Sequence, residues 1–318
     1  MQVALLNNLR AGRSGSQVSR ILSFLSEHPE VLHVETESAG ALADAIASIA
    51  EQQVDLLVVN GGDGTLQHAL TEILAQRAWE RLPLIAPLRG GRTNMTALDL
   101  GAQRDPVKGL AGLLEAVRTG TLAERIVHRP VLRIEFDHGR RVEYGTFFGA
   151  GTVHRAIRLT HRRFPTGRTQ GVFGAGLVTA TLIARAAVRQ SGGVLRPDKV
   201  QVLVDGEPVP QGEFLLLIAS SLQRLFLRMN PFWGRGPGGV RFTSIASGPD
   251  RLAAAVPGIL RGQPAPFVRP EAGYTSANAE RVELRLDCGF TIDGEIFPER
   301  PDEVVTLTAD RRISFVRA

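Results

Sequence analysis

The chain has 318 residues, 43% hydrophobic and 22% charged, with a mean hydropathy near zero. That composition describes a globular chain of about two domains, long enough to bury a core without disulfide or metal staples. One cysteine, Cys288, excludes an intramolecular disulfide and a cysteine-rich zinc module, and fits a reducing, cytoplasmic compartment. The net charge of +5 is local: residues 151–200 hold nine basic residues and one acidic, while the flanking segments are slightly negative. The N-terminal MQVALLNNLRAGRSG has neither the basic nor the apolar region of a signal peptide and is expected to be mature protein. Thr169 to Ala184, the longest uncharged stretch beside a helical pattern, is only about half apolar, so no membrane span is expected.

In chain order, Gln2 to Leu6 reads as a buried strand and Ser16 to Ser26 as a helix with Val18, Ile21, Leu22 and Leu25 on one face. A strand at Val31 to Glu35 and a helix at Ala39 to Gln52 follow. Next come the strand Asp55 to Asn60, a helix from Thr65 to Ala75, the strand Leu84 to Pro87 and a helix near Thr93 to Leu100. Strands that are almost continuously apolar, alternating with helices, predict a parallel sheet covered on both faces. From about His128 the pattern turns to strands. They fall at Arg129–Phe136, Val142–Phe148, Val200–Val204, Phe214–Ser220, Gly239–Ile245, Val282–Leu286, Val304–Thr308 and Ile313–Val316. Helical patterns near Phe173 to Arg189 and Asp250 to Arg261 interrupt them. Residues 1–127 are therefore expected to form an α/β domain, and residues 128–318 a mainly β domain.

The sharpest local signal is Asn60-Gly61-Gly62-Asp63-Gly64-Thr65, placed between a buried strand and a helix. Glycines let backbone approach a ligand closely, and the helix start behind them offers free N–H groups to phosphate. A carboxylate in such an anion site, Asp63, calls for a cation or a hydroxyl nearby. As a bare turn the segment would need only Thr65 as N-cap. Two further turns follow strands one and four, at Asn7–Gly15 and at Arg89-Gly90-Gly91-Arg92-Thr93-Asn94. In an open parallel sheet such loops converge outside the carboxyl ends of the strands. There is no G-x-x-x-x-G-K-[ST], and neither lysine, Lys108 or Lys199, lies near these turns, which excludes a P-loop nucleotide triphosphatase.

These residues carry a resemblance. Gly61-Gly62-Asp63-Gly64-Thr65 is shared by diacylglycerol, sphingosine, ceramide and NAD kinases. The chain as a whole resembles the bacterial diacylglycerol-kinase-type lipid kinases. Asn8-Leu9-Arg10-Ala11-Gly12 is similar to their N-P-x-[SA]-G, Thr36 with Gly40 to T-x-x-x-G, and Gly91-Arg92-Thr93-Asn94 to G-T-x-N-D-x-A. Near the C-terminus Asp293-Gly294-Glu295 matches D-G-E. The resemblance implies a Rossmann-like α/β domain of the NAD-kinase and diacylglycerol-kinase type, followed by a β-sandwich. It also implies ATP held by Asn8, Gly12, Thr36, Gly61, Gly62, Asp63, Gly64, Thr65, Gly91, Arg92, Thr93 and Asn94, with Mg²⁺ at Asp63. Glu295 is then the base toward a neutral-lipid hydroxyl, on diacylglycerol or a ceramide or sphingoid lipid, with Asp293 beside it.

Several positions depart from the family. The nucleotide-contacting threonine falls on Arg92, the N-D aspartate on Met95, and N-E on Gln67-His68. The D-G-x-L-D segment, near which the family has a structural metal, falls on Pro237-Gly238-Gly239-Val240-Arg241, where both aspartates are gone. A second Asp-Gly-Glu, Asp205-Gly206-Glu207, reads as a plain hairpin turn. Tyr144 to His154 resembles the glycine turn facing the acceptor, and equally a glycine-rich bulge, with His154 as a reserve base. The histidines His138, His154 and His161 have no metal-ligand spacing.

Arg155, Arg158, Arg162, Arg163 and Arg168 form a run without acids, before an apolar helical pattern. Basic beside apolar residues suits docking on an anionic membrane surface, at the inner face of the membrane, and no nucleic-acid module is visible. Leu225, Phe226, Leu227, Phe232 and Trp233, interleaved with Arg224, Arg228 and Arg235, extend that expectation or belong to the core. Two other readings stay open: an NAD kinase, and a homologue that binds nucleotide or lipid without catalysis.

Overall fold

The computed structural model describes residues 1–9, 15–75, 79–163 and 196–318. They form two compact units, Met1–Arg129 with Arg312–Ala318, and Pro130–Arg311. The expected helix near Phe173 to Arg189 lies outside the described residues.

In the first unit the order is β1 (Val3–Asn8), α1 (Gly15–Ser26), β2 (Leu32–Thr36), α2 (Ala39–Glu51), β3 (Leu56–Gly61), α3 (Asp63–Ala75), β4 (Leu84–Arg89), α4 (Met95–Asp99) and α5 (Pro106–Thr119). The strands run parallel in the order β2, β1, β3, β4. Val3, Leu5, Leu56, Val58, Ala86 and Leu88 pack on one face with Ile21 of α1 and Leu110 and Leu113 of α5. The intervening Ala4, Leu6, Leu57 and Val59 are also buried. Burial on both faces is why these strands read as unbroken apolar runs.

Three features differ from the sequence expectation. Helix α3 begins at Asp63, so Thr65 stands in its first turn and is not the N-cap. Helix α5 was not anticipated, although its ends carry ordinary signals. Asp105 caps it by accepting the Val107 N–H at 3.0 Å, Pro106 opens it, and Gly120 closes it at φ 75°. The C-terminal residues return to the first unit. There Phe315 pairs in parallel with Ile85, and Val316 and Ala318 join the core of α1 and α5.

Among the described residues the second unit is built mainly on antiparallel strand pairs. It contains β5 (Ile126–Phe136, from Pro130 on), β6 (Arg141–Gly145), β7 (Phe147–Gly151), α6 (Thr152–Arg163), β8 (Asp198–Val204), β9 (Glu207–Pro208), β10 (Glu213–Ser220) and β11 (Val240–Ala246). Then follow α7 (Leu252–Leu260), β12 (Tyr274–Ala279), β13 (Arg281–Leu286), β14 (Phe290–Ile292), β15 (Glu295–Phe297) and β16 (Glu303–Val316), whose residues from Arg312 on belong to the first unit. The expected strand 142–148 divides at Thr146 into β6 and β7, and the last two expected strands are one, β16. Phe148, Phe214, Phe242 and Phe290 sit in its core, where the Phe290 and Phe297 rings stack at 4.9 Å. No helix among the described residues is long and apolar enough to cross a membrane.

Candidate functional site

The carboxyl ends of β1 and β3 are tied by a buried amide pair, in which Asn60 Nδ2 donates to Asn7 Oδ1 at 2.7 Å. One residue on, Asn8 Nδ2 donates to Thr65 Oγ1 at 2.8 Å and joins the end of β1 to the first turn of α3. The glycines of the two following turns meet backbone to backbone. A Cβ on Gly91 would overlap the Gly62 Cα, and one on Gly90 would stand 2.5 Å from Asn60 Oδ1. Glycine is required here first by the contact between the turns themselves. The backbone they leave beside the α3 N-terminus is the kind of surface that accepts phosphate.

Asp63 opens α3, and its Oδ1 accepts the Thr96 N–H at 3.2 Å. The N–H groups of Met95 and Asn94 also bond this carboxylate, so it caps α4 from outside. Desolvation by burial pushes the Asp63 pKa up from the usual carboxylate value, and these N–H groups oppose the rise. Asn94 takes the left-handed conformation at φ 51°, which asparagine tolerates. Its amide closes the turn on itself, accepting the Gly91 N–H and donating to Gly91 O, both at 2.7 Å. Asn94 is thus committed within its loop, whereas Arg92 is exposed and Thr93 half-buried. A small pocket is lined by Gly61, Gly62, Asp63, Leu66, Asn94 and Ala97. Thr36, 2% exposed at the end of β2, has no partner for its hydroxyl. Gly12 lies outside the described residues.

Glycine turns, a helix start and an orphaned hydroxyl fit a nucleotide. For Mg²⁺ the fit is narrower: Asp63 is one carboxylate, and no group of three His, Cys, Asp or Glu stands together among the described residues. A Mg²⁺ ion held by one carboxylate takes its remaining ligands from phosphates and water.

In the second unit, Asp293 and Gly294 form the two-residue turn between β14 and β15, at φ 47° and 95°. Both residues at positive φ is the type I′ geometry that suits strand twist. Asp293 is 8% exposed and grips Thr146, accepting its N–H at 2.7 Å and its hydroxyl at 2.8 Å. The Thr146 carbonyl accepts in turn from Ser220 Oγ (2.8 Å) and the Ser221 N–H (3.1 Å). Asp293 is accordingly an anchor, and Glu295 next to it is exposed. Thr146 was missed as a partner in the sequence, because only the folded register brings a residue 147 positions away to the turn.

The basic run divides on folding. Arg155 is drawn inward, 14% exposed, and pairs with the buried Asp198 at 2.6 Å, so it does not contribute to an exposed cationic face. Arg158 is 44% exposed, 3.8 Å from Glu299. Arg162 and Arg163 fall on the last turn of α6, and Arg168 lies outside the described residues. His154 is 1% exposed, its Nε2 has no partner, and burial followed by the Arg158 charge lowers its pKa. Burial pushes the Cys288 thiol up to about 11, too high for a reactive thiolate. At the position of the family's second aspartate, the Arg241 guanidinium donates to Leu222 O (2.6 Å), Gln223 O (2.9 Å) and Asn230 Oδ1 (2.6 Å). A cation is built into this oxygen cluster, and the residues do not fit a metal ion there.

Residues 2–124 match the diacylglycerol kinase catalytic domain. The match spans β1 to α5 and both glycine turns, and the domain it names is that of a kinase family. No curated protein matches the sequence. Among solved structures, one from Bacillus anthracis provisionally described as a diacylglycerol kinase is 16% identical, with a TM-score of 0.66 over 100% of this chain and 96% of that one. Another from Bacillus anthracis, described in the same way, is 15% identical with a TM-score of 0.67, covering 100% and 97%. A third, described as a diacylglycerol kinase of that organism, is 15% identical with a TM-score of 0.60, also covering 100% and 97%. The fold of this chain, α/β followed by mainly β, is therefore that of these structures.

Proposed function

We propose that this protein is an ATP- and Mg²⁺-dependent kinase that phosphorylates a hydroxyl of a neutral lipid, diacylglycerol or a ceramide or sphingoid lipid. The observation that carries the reading is the pair of interlocked glycine turns at the carboxyl ends of β3 and β4, within a matched kinase catalytic domain. Gly61, Gly62 and the α3 N-terminus receive the phosphates, with Thr65 held in place by Asn8. Asp63 holds Mg²⁺, whose contribution is to neutralise phosphate charge. In the second unit Glu295 takes the proton of the acceptor hydroxyl. The lipid oxygen bonds the γ-phosphorus as its bond to the bridging oxygen breaks, and ADP leaves. Asp293 positions Glu295 by fixing the turn to Thr146. The lipid brings the enzyme to an anionic membrane surface, at the cytoplasmic face.

The test is transfer of radiolabelled phosphate from ATP to diacylglycerol, ceramide and sphingoid base in mixed micelles, with NAD⁺ as a lipid-free control. Label on a lipid supports the reading. Label on NAD⁺ alone, or ATP binding without turnover on any acceptor, overturns it.

A further inference from the structure

Between β10 and β11 the chain crosses a stretch with one sign of charge. From Phe214 to Pro249 there are four arginines, Arg224, Arg228, Arg235 and Arg241, and no Asp or Glu. Within it Leu225 and Phe232 are buried, 6% and 4% exposed, so those two apolar residues belong to the core. Leu227 does not. It is 56% exposed, with Phe226 and Met229 half-buried beside it and Arg224 and Arg228 exposed around it.

The backbone holds Leu227 there at a cost. Leu227 and Arg228 both adopt left-handed conformations, at φ 54° and 59°, which non-glycine residues rarely visit even singly. Two bonds close the loop around them, from Leu225 N–H to Met229 O (2.8 Å) and from Met229 N–H to Phe226 O (3.2 Å). Beneath, the Arg241 guanidinium ties Leu222, Gln223 and Asn230, and stacks over the Phe232 ring at 4.9 Å. Persistent backbone strain needs such over-determined surroundings, and it marks segments where conformation serves function. The loop also springs from the candidate site. Ser220 and Ser221, just before it, both bond the Thr146 carbonyl, and Thr146 is the residue that Asp293 grips.

We propose that the 223–229 loop is a preformed docking element for an anionic lipid bilayer. Leu227 enters the apolar boundary, and the guanidinium groups of Arg224 and Arg228 meet lipid phosphates. An aliphatic tip ringed by cations, with no acid in the stretch, complements apolar tails beneath anionic headgroups. The shared anchor on Thr146 places membrane contact in register with the Asp-Gly-Glu turn. The proposal rests on the reading of the acceptor as a membrane lipid.

The experiment is sedimentation of the full chain with vesicles of phosphatidylcholine containing phosphatidylglycerol, at low and high salt. Leu227→Ala should weaken binding about tenfold, as expected for losing the buried part of one aliphatic side chain. Arg228→Gln should weaken it about fivefold at low salt, and less at high salt, because exposed charges are screened. Leu203→Ala, at an exposed leucine on β8, should bind as wild type. Wild-type binding by both Leu227→Ala and Leu227→Glu would overturn the proposal. A second readout separates it from the proposed activity: transfer to a water-dispersed short-chain diacylglycerol, without vesicles. Leu227→Ala should keep the wild-type rate there, and a loss of that rate would show a role in the site rather than in docking. If no lipid is phosphorylated by any variant, the vesicle series still decides the loop.

Discussion

The second unit contains two Asp-Gly-Glu turns that are almost a matched pair. Asp205 and Gly206 lie at φ 49° and 86°, Asp293 and Gly294 at 47° and 95°, and each pair joins two antiparallel strands. Both aspartates use their carboxylates on backbone donors. Asp205 Oδ1 accepts from Glu280 and Arg281 N–H at 2.9 and 2.8 Å, as Asp293 does from Thr146. The difference is where the turn is docked. Asp205 is exposed on a hairpin whose second strand, β9, has two residues. Asp293 is buried, tied also to a hydroxyl, and its hairpin is backed by the Phe290, Phe297 and Phe136 rings. Asp-Gly-Glu is thus a turn signal in both places, and only its seating distinguishes the two.

The largest expected effect lies in the first unit, at the glycine turns. Asp63→Asn should reduce phosphate transfer to background in the micelle assay, while circular dichroism shows the fold retained. Near-normal transfer would detach the glycine turns from the chemistry. Next is the anchoring of the turns, read by denaturant melts. Asp293→Ala should cost about 2–4 kcal/mol, since a buried N–H and hydroxyl of Thr146 lose a charged acceptor. Asp205→Ala, where water replaces the lost carboxylate, should cost about 0.5–1 kcal/mol. Equal costs would remove the distinction drawn between the two seats.

Two smaller effects concern pH. Desolvation by burial raises the Asp63 pKa in the folded state, so ionisation there opposes folding. Its contribution to stability is fullest below the ordinary carboxylate pKa and declines as pH rises toward the raised value. Asp63→Asn should then melt no lower than wild type at pH 7, and the gap should close toward pH 4. The His154 pKa is lowered in the folded state, so its contribution is present above about pH 6.5 and is lost as pH falls below that. His154→Asn should flatten this acid limb of the melting profile.

The fold of the first unit was legible because its strands are buried on both faces and its helices show a regular apolar spacing. Helix α5 escaped although Asp105, Pro106 and Gly120 mark both ends, since Gly109 stands on its buried face and adds no apolar side chain there. The return of residues 312–318 to the first unit was not legible: a short apolar stretch at a chain end does not say which sheet it joins. Local motifs singled out the glycine turns and the Asp-Gly-Glu as candidates. The use made of them was not local. Asp63 caps a helix 32 positions on, Asn94 closes its own turn, and Arg155 leaves the basic run to pair with Asp198. Such partners are set by strand order and burial, which a single sequence does not display.

The most direct measurement is a paired assay of Glu295→Gln and Glu207→Gln for phosphate transfer to lipid, together with ATP binding. Gln keeps the shape and removes the base, and general-base assistance is typically worth about 10²–10⁴-fold. The account predicts a fall of that order for Glu295→Gln with ATP affinity nearly unchanged, and wild-type transfer for Glu207→Gln. Loss of transfer on changing Glu207, with Glu295 dispensable, would contradict it.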